Sequence, residues 1–299
     1  MDRSAQNSIR RYLNSVNRYK KMLINRKLAS RLLLTFTLTW MFHPAYSSAD
    51  TQERDIYQFE QRLVQLVESS DYFSMRTLGI VKYDTFSSPI WLVTFKGDAV
   101  KKKKVFISGG VHGDEPAGSE AVLATIIEVA NDPSNYKHVN IDFVPLVNPS
   151  GWVSGTRLNA AGEDINRDFH LLNSQEAIII NDYLISRNRY KLMIDHHEDP
   201  RYPGFYMVTY GNTQLSLIAD VTQKVKKSGY PLRSFRRNEG YFNVSNKMTP
   251  KLKNKTFMSY ARSHYSKRAY QIESPTSPNM RDRKIMHSMA DQELINSLR

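Results

Sequence analysis

Hydrophobic and polar positions along the chain fall into blocks that predict helices and strands in turn. Tyr57, Phe59, Leu63, Leu66 and Val67 recur at helical spacing soon after Asp50. Residues 91–95 read as a strand, with a turn at Gly97-Asp98. Val105-Phe106-Ile107-Ser108 is a short apolar run ended by Gly109-Gly110, the mark of a buried strand leaving the core for a loop. Pro116 stands where a helix can begin, and residues 121–130 have helical composition. Further strands are predicted at 141–147, 191–195, 206–209 and 270–273, and further helices at 175–186 and 215–227. Strands alternating with helices indicate an α/β fold on a mostly parallel sheet. The polar residues of interest cluster just past strand ends, where such folds bind ligands. No internal repeat or Pro/Ser-rich linker interrupts residues 50–299, so a single domain is expected there.

Charge changes this picture at one end only. The net charge of +13 first suggests a nucleic-acid binder. Residues 1–49, however, hold nine Lys/Arg against the single acid Asp2, so +8 lies there and +5 is left for residues 50–299. With that segment set aside the case for nucleic acid nearly disappears. The run Lys101–Lys104 reads as a solvated strand entrance rather than a binding patch.

The same segment carries an apolar run at 32–42 after its basic stretch, and the small residues Ser47-Ser48-Ala49 follow. That order is the pattern of a secretory signal with cleavage near Ala49. The run is too short to span a bilayer, so membrane contact is expected only in transit. A periplasmic or secreted location follows as an expectation. Met1 and Met22 both remain open as the start. The chain has no cysteine, which excludes disulfides and thiol chemistry.

The candidate chemistry begins at His112-Gly113-Asp114-Glu115, directly after Gly109-Gly110. A catalytic zinc takes three protein ligands and keeps one position for water, and His with Glu three residues on is a suitable pair. Asp195-His196-His197-Glu198-Asp199 follows a predicted strand and offers a third ligand, with a neighbouring carboxylate to fix the imidazole tautomer. Between them lie Asn148-Pro149-Ser150-Gly151-Trp152, Arg157 and the stretch from Gly162 to Phe169. The Asn166-Arg167 pair suits a free carboxylate, which a guanidinium binds in a fixed, bidentate manner.

These motifs, in this order, resemble the zinc metallocarboxypeptidase family, which includes carboxypeptidase A and the murein tripeptide amidases. The resemblance runs from about Val105 to Glu273 through H-x-x-E, N-P-x-G-x(5)-R, D-x-N-R-x-F, D-x-H and a late I-E-x-P. It implies a three-layer α/β/α domain with a mixed, mostly parallel central sheet and one zinc ion per chain. It further implies His112, Glu115 and His197 as ligands, with His196 the alternative third. Arg157 would polarise the scissile carbonyl, Asn166 and Arg167 would grip a terminal carboxylate, and Glu273 would be the catalytic base. The substrate implied is a peptide with a free carboxylate, and the export signal points to muropeptides. Asp168 stands where many members have Asn, and Tyr241, Tyr260 and Tyr265 are all candidates for a substrate-covering tyrosine. Arg201, Arg233, Arg236 and Arg237 make the intervening region basic.

Two other readings stand beside this one. The Gly-Gly-x-His-Gly-Asp-Glu start is similar to the succinylglutamate desuccinylase and aspartoacylase group, which cuts N-acyl amino acids with the same ligand set. A non-catalytic peptide-binding module is the third reading, although no ligand or base is missing.

Overall fold

Residues 54–187, 189–210, 215–235, 238–244 and 255–299 are described by the structure, a computed structural model. The signal segment expected at 1–49, and Arg236 and Arg237, lie outside the described residues. Helix α1 (Ile56–Glu68) leads into a hairpin of β1 (Phe73–Tyr83) and β2 (Phe86–Lys96). Then come β3 (Lys103–Gly109), α2 (Pro116–Asn131) and β4 (Val139–Val144). Two short helices, α3 (Pro149–Ser154) and α4 (Ile165–Asp168), precede α5 (Gln175–Ile185) and β5 (Leu192–Glu198). Strand β6 (Tyr206–Tyr210), helix α6 (Leu215–Lys227) and the small strands β7 (Ser234–Phe235), β8 (Asn238–Glu239) and β9 (Tyr241–Val244) follow. The chain closes with α7 (Phe257–His264), β10 (Ala269–Ser274) and α8 (Met280–Asn296).

The main sheet runs β1-β2-β4-β3-β5-β10-β6-β9. Its centre, β4, β3, β5 and β10, is parallel, while β2 and β6 join it antiparallel. Sheets covered on both faces need apolar residues on both, which is why these central strands read as continuous hydrophobic runs. Alternation sorts their side chains. Ile107 and Ile194 enter a core with Leu63, Val122, Val221 and Leu294 from α1, α2, α6 and α8. Phe106 and Met193 enter the opposite core with Phe169, Ile180 and Phe257, from beside α4 and from α5 and α7. The result is the expected three-layer α/β/α arrangement on a mixed, mostly parallel sheet.

Some boundaries differ from expectation. The strand predicted through 147 stops at Val144, because Pro145 has no N–H to give a ladder. Beyond it, the N–H groups of Val147 and Asn148 donate to Gly109 and Gly110 in the neighbouring loop. Helix α8 was not visible in the pattern, being polar over most of its length. Asn279 caps it through Asp282 N–H, and Met286, Ala290 and Leu294 bury one face at four-residue spacing. Among the described residues no helix is long and apolar enough to cross a membrane.

Candidate active site

The site starts where β3 ends. Gly110 takes a φ of 65°, a left-handed conformation that favours glycine, and turns the chain out of the sheet. His112 then forms a turn in which Glu115 N–H donates to its carbonyl at 3.4 Å. Glu115 is the N-cap residue of α2, and Pro116 takes the first helical position, where a missing N–H costs nothing. Gly113 lies against the backbone of Gly151, so close that a Cβ there would fall 1.9 Å from a carbonyl carbon. The Arg54 guanidinium fastens this junction by donating to the carbonyls of Gly113 and Trp152.

The tip of β5 supplies the facing half. Alternation sends Asp195 and His197 to one face and His196 to the other. His197 Nδ1 lies 2.7 Å from Glu115 Oε2, and His112 Nδ1 lies 2.7 Å from Glu115 Oε1. One donor atom from each of His112, Glu115 and His197 falls within 4.8 Å of the others, and all three residues are buried. Each imidazole nitrogen pressed on the Glu115 carboxylate needs either its own proton or a metal ion between the two atoms. The donor set, two imidazoles and a carboxylate, fits a catalytic zinc site and does not by itself exclude other divalent ions.

Neighbouring carboxylates orient both rings. Asp195 Oδ2 sits 2.8 Å from His197 Nε2, and its Oδ1 accepts from Ser108 at 2.7 Å. A ring proton held on Nε2 by Asp195 makes Nδ1 the nitrogen that would turn its lone pair to an ion. Burial opposes charge on His197, but Asp195 and Glu115 together outweigh it and hold its pKa well above the usual value. His112 behaves likewise: burial is outweighed by Glu115 and Asp164, and its pKa is raised. For Glu115 burial is outweighed by His197 and His112, and its pKa is lowered.

Asp164 joins the second ring to the arginine. Its Oδ1 lies 3.4 Å from His112 Nε2, while its Oδ2 accepts from Arg157 Nε at 3.0 Å. Burial works against its charge, yet His112 and then Arg157 bring its pKa down to about 2. Arg157 Nη1 in turn lies 3.1 Å from His112 Nδ1 and 3.6 Å from Glu115 Oε1, which places a guanidinium at the edge of the donor group.

Glu273 projects from β10 beside this group, its backbone in register with His197 on β5. Burial pushes its carboxyl up to about 7 against the pull of His197, and Glu115 adds to the rise. Gln271 donates to Glu273 Oε1 at 2.6 Å, and Oε2 is buried without a hydrogen bond. Asn166 is anchored from α7, where Phe257 N–H donates to its Oδ1 at 2.8 Å, so only its amide NH₂ is left for a ligand. Arg167 is exposed and donates to the Asn166 carbonyl at 3.0 Å, with no hydrogen-bonded acid among the described residues. His112, Glu115, Arg157, Asn166, Arg167 and Glu273 all line one cleft of about 490 Å³.

His196 belongs to another network. On the opposite face, its ring nitrogens meet His287 Nδ1 at 2.9 Å and Asp291 Oδ2 at 3.0 Å, and Asp291 also accepts from Thr125. None of the three candidate tyrosines lines the cleft. Tyr260 and Tyr265 both donate to Asn181, and Tyr241 packs against the core on α1's side of the sheet. Arg201 reaches the cleft but spends two donors on Asp199, while Arg233 stacks on Tyr206 and Phe235. Sequence reasoning gave no role to Asp164 or Gln271. Each stands two residues before a residue it did single out, and for Gln271 strand alternation puts both on one face.

Comparison with known proteins gives this geometry a context. The model of the succinylglutamate desuccinylase/aspartoacylase catalytic domain matches residues 101–276. Carboxypeptidase 2 of Trichophyton tonsurans is 33% identical over 101 residues, 32% of this chain and 19% of that protein. The chain thus spans about a fifth of the length of the curated relatives it matches. A structure described as a metallopeptidase, from Shewanella denitrificans, superposes with a TM-score of 0.65 at 23% identity, covering 81% of this chain and 89% of its own. A metallo-carboxypeptidase from Pseudomonas aeruginosa, in complex with (2-guanidinoethylmercapto)succinic acid, has a TM-score of 0.61 at 18% identity, covering 80% and 69%. At these identities the two structures show a shared fold. The domain match, by contrast, runs over more than half the chain and takes in the cleft from His112 to Glu273, and the chain therefore belongs to the succinylglutamate desuccinylase/aspartoacylase catalytic-domain family.

Proposed function

We propose that the protein is an exported, zinc-dependent amidase of metallocarboxypeptidase type, acting on peptides with a free carboxylate, cell-wall peptides among them. The observation that carries this reading is the buried His112–Glu115–His197 group, two of whose members, His112 and Glu115, line one cleft with Glu273, Arg157 and the Asn166-Arg167 pair. Export is read from the charged, apolar and small-residue order of residues 1–49.

His112, Glu115 and His197 would hold the ion, which would supply Lewis-acid polarisation of the carbonyl and activation of water near neutral pH. Asn166 NH₂ and Arg167 receive the substrate carboxylate and so place the neighbouring amide beside Glu273. Glu273 takes the proton of the attacking water and delivers it to the departing amine; a carboxyl raised by burial suits both steps. Arg157, fixed by Asp164, stands ready for the negative charge that develops on the carbonyl oxygen. The dicarboxylate held by the Pseudomonas aeruginosa neighbour is in keeping with a carboxylate-bearing substrate.

The family match favours a second reading, deacylation of N-acyl amino acids. The same residues serve both, since each reaction cuts an amide next to a carboxylate. Product analysis by mass spectrometry separates them, using metal-loaded protein, a panel of peptides, muropeptides and N-acyl amino acids, and Glu273→Gln as control. Release of a C-terminal residue, or cleavage within a muropeptide stem, is the expected result. Acyl release alone moves the protein to the deacylases, and products that persist in Glu273→Gln remove the proposed base.

A further inference from the structure

Glu273 is held by a chain of hydrogen bonds with a definite direction. Gln271 Nε2 donates to Glu273 Oε1 at 2.6 Å, and Tyr210 Oη donates to Gln271 Oε1 at 3.1 Å. Tyr210 and Thr256 hydroxyls lie 2.8 Å apart, and Thr256 Oγ1 accepts Ser259 N–H at 3.2 Å as the N-cap of α7. Because Tyr210 has one hydroxyl proton and gives it to Gln271, Thr256 must donate to Tyr210. The chain also fixes which end of the Gln271 amide is oxygen, since an ionised carboxylate accepts only from a donor. All four side chains are buried.

This arrangement occupies Oε1 of Glu273 and leaves Oε2 as the buried oxygen without a partner. A carboxylate that must meet a water at one angle benefits from having its other oxygen tied. The anchor is shared with the substrate grip. The residue after Thr256, Phe257, gives its N–H to Asn166 Oδ1, so one helix turn restrains both the base and the carboxylate contact.

We infer that Gln271 is a positioning residue that sets the direction of the Glu273 carboxylate and is itself locked to the first turn of α7 through Tyr210 and Thr256. This rests on the reading of Glu273 as base. Gln271→Leu keeps the volume and removes the donor, so Glu273 is free to turn. Kinetics on an N-acyl dipeptide with a free C-terminal carboxylate should then show kcat down by about 10–100-fold, with KM and bound metal near wild type, as expected for a small misplacement of a reacting group. Tyr210→Phe leaves Gln271 in place but unlocked, and a smaller drop in kcat is expected in a protein that still folds and binds metal, with a modestly lower melting temperature. It decides the matter if Gln271→Leu proves unstable or loses metal. Unchanged kcat in the folded variants overturns the inference, whereas an active Glu273→Gln overturns the base itself. A crystal structure of metal-loaded Gln271→Leu adds a readout independent of turnover: Glu273 in its wild-type orientation would refute the positioning role.

Discussion

Glu273 and His197 occupy partnered positions on two adjacent parallel strands, β10 and β5. The spacing between the proposed base and a proposed metal ligand is therefore set by backbone ladder bonds inside a sheet buried on both faces. Loops elsewhere in the cleft can vary without moving these two relative to each other. A rigid element holds geometry more closely than a loop does, and catalysis by positioned groups depends on that.

The two adjacent histidines of β5 should separate cleanly on substitution. His197→Gln is expected to lose bound metal, as measured by atomic emission after dialysis. His196→Leu is expected to keep it and to lose about 1–3 kcal/mol of stability, because His287 Nδ1 loses its buried ring partner and Asp291 keeps only the Thr125 hydroxyl. Metal loss in His196→Leu with His197→Gln intact would reverse the assignment.

Metal uptake should release protons. His112 and His197 have pKa values raised above the ordinary imidazole range, so the metal-free protein holds protons where an ion would bind. The sign for folding follows: these protons stabilise the metal-free fold fully below about pH 6.5, and the contribution is lost as pH rises through the raised values. Metal binding has the opposite slope, since the ligands must be deprotonated. Calorimetry in buffers of differing ionisation heat should show net proton release near neutral pH and an affinity that climbs with pH. Binding without proton release would contradict the ligand set.

Asp164→Asn tests the link between metal ligand and arginine. The change removes the negative charge that faces both His112 and Arg157 and leaves one carbonyl oxygen for the two contacts. Metal affinity should fall by about 10–100-fold, the usual loss when a ligand's orienting carboxylate is removed. Activity measured at saturating metal should fall as well, because Arg157 is no longer aimed. Wild-type affinity in the variant would assign Asp164 to the arginine alone.

Gly113→Ala should open the junction between the ligand loop and α3. The added Cβ has backbone, rather than a flexible side chain, within 1.9 Å. A destabilisation of about 1–3 kcal/mol, seen as a lower melting temperature, is expected from overpacking of this kind, together with weaker metal binding. A neutral substitution would mean that Gly151 and its loop yield freely.

The sheet centre was legible because strands β3, β5 and β10 are buried on both faces and therefore read as apolar runs. Strand β1 was not, since an edge strand alternates loosely and shows much of its surface to solvent. The order of motifs located the residues that the fold gathers in the cleft, from His112 to Glu273. What it left open was direction. Asp195-His196-His197 reads equally well with either histidine until strand alternation sends one to each face. The roles of Asp164 and Gln271 arise from contacts between separate side chains: Asp164 opens the D-x-N-R-x-F motif without its partner being readable there, and Gln271 has no signature of its own.

The proposed ligands come from distant parts of the chain, with Glu115 and His197 separated by 82 positions. They meet because β3 and β5 are direct neighbours although β4 and four further elements intervene in sequence. Non-local parallel pairings of this kind form slowly, after local helices and hairpins. The three proposed ligands come together only once β5 has docked beside β3, so an ion bound by all three would meet a sheet that already exists.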